Sequence, residues 1–145
     1  MYSLTSNVIY IFSCDIIVAE FEPVADFSIF HHMLIYGCSI PGQQTGAYKC
    51  GEMMIDKGDK SIQDSLGELK ASCEKGVIVY AWAGDAPSLT FPSNVGYHVG
   101  KGTPIKYLVL QVHYKKAGML NKLLDIFISI ADLFIIFHNS LESSN

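Results

Sequence analysis

The residues best suited to chemistry in this chain are histidines. His31 and His32 stand side by side in the stretch HHMLIYGC, where an apolar run opens and then closes on Cys38. Each imidazole brings a donor and an acceptor, so a pair set at the edge of apolar surface needs partners or a shared ion. Neighbouring residues on a regular strand face opposite ways, so both rings reach one ion only where the backbone bulges or twists. His113, in the strand-like run KYLVLQVHY, is the natural third ligand if its strand pairs nearby. Three imidazole nitrogens suit copper or zinc, and redox-active copper is the candidate where thiolate and carboxylate ligands are missing. The competing reading of the same residues is a hydrogen-bonded histidine cluster with no metal.

Other groups carry weaker signals. His98, in VGYHVGKG, reads as a surface residue beside a turn, and His138 falls in an apolar tail. Asp26 lies near His31 but is a single carboxylate. Trp82, in YAWAG, reads as core. No G-x-S-x-G elbow is present, and no cysteine has an evident catalytic partner, so nucleophilic catalysis is not supported.

The elements that must position the histidines read as strands. IIVAEFEP alternates before Pro23, and FHHMLIYG forms a second run closed by Gly37. GVIVYAWAG and KYLVLQVHY, separated by turn-rich sequence, suit antiparallel strands of a sandwich. In the latter, Tyr107, Val109, Gln111 and His113 share one face, while Leu108, Leu110, Val112 and Tyr114 share the other. Between Pro41 and Cys73 the composition turns to Gly, Gln, Lys, Asp and Ser, which predicts a long exposed loop with a short helix over 62–71. After Tyr114, Lys122, Asp125, Ser129 and Asp132 recur at helical spacing, predicting an amphipathic helix that could contact a membrane or a partner. Two aspartates argue against a spanning helix. The apolar start, MYSLTSNVIYIFSCDIIVAEF, lacks a basic leader region and is broken by Asp15, so it reads as a strand or an incomplete start rather than a signal peptide.

Composition bounds the rest. The 145 residues, half of them hydrophobic, suit one packed domain. The net charge is -4, and the 10 basic residues are scattered, Lys115 and Lys116 being the one adjacent pair. This excludes a nucleic-acid-binding surface. Cysteines at 14, 38, 50 and 73 are compatible with disulfides in an oxidising compartment or with reduced core thiols, and no C-x-x-C spacing supports a thiolate zinc site.

HHMLIYGC, YAWAGDAP, FPSNVGYHVG and KYLVLQVHY, in this order over 16–114, resemble the amino-terminal domain of the copper type II, ascorbate-dependent monooxygenases, in particular its peptidylglycine alpha-hydroxylating branch. The resemblance implies an all-β, antiparallel, jelly-roll-like sandwich, with residues 115–145 as an atypical, helical tail. It implies that His31, His32 and His113 bind the electron-transferring copper, with Gln111 behind them. It also implies a disulfide from Cys38 to Cys73 and a partner upstream for Cys50. Cys14 lies closer to the histidine pair than the family's upstream cysteine, and the loop from Cys50 to Cys73 is longer than the family's. Ascorbate as electron donor, molecular oxygen, a glycine-extended peptide substrate and the secretory pathway follow from the same likeness. The oxygen-binding copper of that family takes a His-x-His pair and a Met from a second domain, and no His-x-His occurs in this sequence. The chain is therefore expected to bind copper without hydroxylating peptides alone, with ends that read as truncated. The alternatives are a non-catalytic copper-binding or peptide-interaction module and a β domain held at a membrane by its tail.

Overall fold

The structure, a computed structural model, describes residues 4–11, 15–44, 47–50, 71–115 and 133–138. Nine strands follow in order: β1 (Leu4–Ile11), β2 (Ile16–Pro23), β3 (Phe30–Pro41), β4 (Ala47–Lys49), β5 (Cys73–Ala83), β6 (Leu89–Thr90), β7 (Tyr97–Val99), β8 (Tyr107–Tyr114) and β9 (Leu133–His138). They form two antiparallel sheets. The larger runs β4-β1-β8-β3-β5. In the smaller, β9 pairs with β2 along 17–23, and β6 and β7 share the other edge of β2.

Alternation explains the packing. Ile16, Val18 and Phe21 of β2 meet Met33, Ile35, Tyr80, Trp82, Leu108, Leu110, Val112 and Tyr114 of the larger sheet in one buried cluster. Phe21 and Tyr80 stack across the two sheets at 4.8 Å between ring centroids. This is the core of a sandwich, as the alternating sequence predicts. Trp82, 2% exposed, belongs to it.

The opposite face of the larger sheet carries a second cluster of Tyr36, Cys38, Cys73 and Val109, flanked by Leu34 and Tyr107. A disulfide joins Cys38 to Cys73, with 5.6 Å between their Cα atoms. Gly76 leaves room for it, since a Cβ there would stand 2.7 Å from the Cys73 sulfur and 2.6 Å from the Gly37 carbonyl oxygen.

Two expectations change. The segment after Pro41 is not uniformly an exposed loop, because Ala47–Lys49 forms β4 against β1 and both Tyr48 and Cys50 are buried. The Tyr48 hydroxyl donates to the carbonyl oxygens of Ala71 and Ser72 at 3.1 Å each, which folds the two ends of this segment together. The helix expected over 62–71 lies outside the described residues except for Ala71, which is not helical. In the tail, Leu133–His138 is a strand on β2 rather than part of a helix. LFIIF is an unbroken apolar run rich in β-branched and aromatic residues, and a run this short carries no period that separates strand from helix. The polar stripe from Lys122 to Asp132 and the residue Cys14 lie outside the described residues. The expected opening strand is β1. Among the described residues no helix is long and apolar enough to cross a membrane.

Candidate metal centre

The site begins with a defect in the β3–β8 ladder. Phe30 pairs with Tyr114, and the next pair is His32 with His113, so two steps on β3 match one on β8. His31 is the extra residue. Such a bulge rotates one side chain out of alternation, which is the condition two adjacent histidines need to converge.

The convergence is close. Ring centroids of His32 and His113 are 4.6 Å apart, those of His31 and His113 5.0 Å, and those of His31 and His32 5.2 Å. One nitrogen from each ring can be chosen so that all three lie within 4.8 Å of one another. His113 is buried, His32 half-buried and His31 exposed, so the cluster sits at the sheet margin with one ring open to solvent.

The donor set fits a soft-to-borderline first-row ion. Imidazole nitrogens bind such ions at about 2.0 Å, so two ligands on one ion stand roughly 3 to 4 Å apart. The Nδ1 atoms of His31 and His32 are 3.0 Å apart, a separation at which one nitrogen must donate a proton or both lone pairs must face a cation. The widest separation, 4.8 Å, is slightly larger. No carboxylate or thiolate joins the cluster among the described residues, which favours copper or zinc over hard, oxygen-seeking cations.

Gln111 lies two residues from His113 on the same strand face and is 1% exposed. Its Nε2 donates to Ser72 Oγ at 3.1 Å and to Cys50 Sγ at 3.6 Å, and its Oε1 accepts from the Tyr36 hydroxyl at 3.5 Å. It thus ties the strand bearing His113 to the disulfide-linked segment. Burial, with a smaller contribution from Cys50, pushes the Tyr36 phenol up, which keeps it a neutral donor. Tyr36, Ser72 and Cys50 were not foreseen as a group. Tyr36 shares the alternating face of His32, and Ser72 adjoins Cys73, but only the folded segment brings them to Gln111.

The remaining candidates stay apart. His98 is exposed on β7 in the other sheet, paired in register with Ile17. His138 lies at the end of β9 on that same sheet. Asp26 serves a turn, accepting from the Ser28 amide at 2.7 Å.

Fold and site together define an antiparallel two-sheet β domain with three imidazoles gathered by a bulge at the margin of one sheet. A family model, "Copper type II ascorbate-dependent monooxygenase, N-terminal domain", matches residues 9–121, and the chain belongs to that family. It is similar to the peptidylglycine alpha-amidating monooxygenase of Rattus norvegicus, 39% identical over 97 residues that make up 67% of this chain and 8% of that protein. Peptidyl-glycine alpha-amidating monooxygenase A of Xenopus laevis is 36% identical over the same share of the chain and 9% of its own length. DBH-like monooxygenase protein 1 of Homo sapiens is 25% identical over 111 residues, 74% of this chain and 16% of that protein. The chain therefore spans less than a tenth of the length of these amidating relatives.

Proposed function

We propose that residues 16–114 are the electron-transfer copper domain of a peptidylglycine alpha-hydroxylating monooxygenase, with His31, His32 and His113 as the copper ligands. The observation that carries this reading is the bulge at His31, which gathers three imidazoles into a cluster on the strands that the family model covers. Bound copper would supply one-electron chemistry, taking an electron from ascorbate and holding it for an oxygen-binding site elsewhere in the enzyme. The chain's own part is to keep three imidazoles together, to leave His31 at the surface, and to bury His113. In the complete enzyme the substrate would be a glycine-extended peptide and the co-substrate molecular oxygen. The disulfide between Cys38 and Cys73 supports folding in an oxidising, secretory compartment.

Elemental analysis and copper titration of the purified chain test the proposal. One equivalent of copper is expected, with affinity lowered roughly 100-fold or more in His31→Ala and His113→Ala. Ascorbate should bleach the Cu(II) electron paramagnetic resonance signal of the wild type. Unchanged copper stoichiometry in both variants overturns the assignment. Copper binding without any product from a glycine-extended peptide, in the completed two-site enzyme, would favour a non-catalytic copper-binding module.

A further inference from the structure

The bulge at His31 needs an anchor, because a residue inserted into a ladder loses the pairing that fixes its neighbours. The anchor lies at the end of the β3–β8 ladder next to the bulge, where the antiparallel pairing brings the residues before His31 beside those after His113. Upstream, the turn Asp26–Ile29 is closed by the Asp26 carbonyl, which accepts from the amides of Ile29 and Phe30 at 3.0 Å each. The Asp26 carboxylate accepts from the Ser28 amide inside the same turn. Downstream, two residues past His113, the Lys115 amide donates to the Ile29 carbonyl oxygen at 3.0 Å. The Lys115 ammonium then stands 3.2 Å from the centroid of the Phe27 ring. Phe27 in turn meets Trp82 edge-on at 6.4 Å, and Phe30 packs on Tyr114 at 5.5 Å.

We propose that Phe27 and Lys115 are a positioning pair that locks the turn before His31 to the strand end after His113, and so holds the His31 ring in the cluster. The contacts of Lys115 with Phe27 and Ile29 close a small ring at the end of the ladder, one residue pair, Phe30 with Tyr114, away from the histidines. A lysine so near a cation site would oppose cation binding by charge alone, and the π face of Phe27 gives its ammonium a partner of its own. The inference deepens the copper reading and rests on it for the metal, whereas the ring geometry can be tested with no metal present.

The experiment uses the full chain in two states. In the metal-free protein, nuclear Overhauser contacts between the ring protons of His31 and His113 report the gathered cluster directly. With Cu(II) added, nitrogen superhyperfine structure counts the bound imidazoles. Phe27→Leu keeps apolar bulk and charge but removes the ring face, and Lys115→Met keeps the stem but removes the cation. Both are expected to weaken the His31–His113 contact, to lower the share of copper that shows three coupled nitrogens, and to bind copper about two- to fivefold more weakly. Phe27→Tyr and Lys115→Arg keep the interaction and should restore the wild-type signals. Variants that lower thermal stability yet retain the ring contact and three nitrogens overturn the proposal. A wild type that shows the ring contact but takes up no copper defeats the functional assignment and leaves the positioning pair standing.

Discussion

The two faces of the β3–β8 pair are built from the same strands and do opposite work. On the inner face Leu108, Leu110, Val112 and Tyr114 fill the sandwich core, where only apolar bulk and close packing count. On the outer face Val109, Gln111 and His113 line up with Tyr36, Cys38 and a layer brought back by the disulfide. A strand of period two can thus stabilise a domain with one set of residues and carry chemistry with the other. The polar face is kept in place by specific bonds instead of apolar burial alone.

The largest effect that would break this comparison lies in the cross-link. Removing it in Cys38→Ala, Cys73→Ala should cost about 3 to 4 kcal/mol in denaturant unfolding, since the loop it closes spans 35 residues. A cost near zero would mean that the outer layer holds without it. A crossed pair of substitutions comes next. Leu110→Ala should lower stability by about 3 kcal/mol while leaving copper stoichiometry intact, whereas His113→Ala should abolish tight copper binding in a protein that still folds. Loss of copper in both variants would show that the faces are not separable. Gln111→Leu should cost about 1 to 3 kcal/mol, because Ser72 and the Tyr36 hydroxyl lose a buried partner.

The smallest effect is acidic. Hydrogen bonds from Ser28, first its side chain and then its amide, hold the Asp26 carboxyl below its ordinary value; desolvation opposes them, and the charge of Lys115 makes the smallest contribution, in the lowering direction. A depressed carboxylate stabilises the fold above its unfolded-state pKa, and that contribution fades as pH falls through the native value. Because Asp26 is exposed, Asp26→Asn should flatten only slightly the acid limb of the stability curve. A large change would give this turn a weight that its exposure does not suggest.

Much of this was legible from residue order. Alternation in KYLVLQVHY placed His113 and Gln111 on one face, and the rule that adjacent strand residues diverge made a bulge at His31 and His32 the condition for a joint site. The structure supplies that bulge. What escaped the sequence depends on contacts between distant residues. β4 is three residues long in a Gly- and Gln-rich setting, and it is a strand only because β1 lies beside it. Leu133–His138 has the same local character as a helical segment until β2 offers an edge. The pairing of Lys115 with Phe27 spans most of the domain's sequence, and neither residue type marks it locally.

β3 carries the histidine pair at one end and Cys38 near the other. His31 is open to solvent, while Cys38 and Cys73 are 0% and 1% exposed. An electron donor arriving from solution therefore meets the imidazole end and is screened from the sulfur bridge. A single strand thus presents an accessible tip while the covalent bond farther along it is shielded.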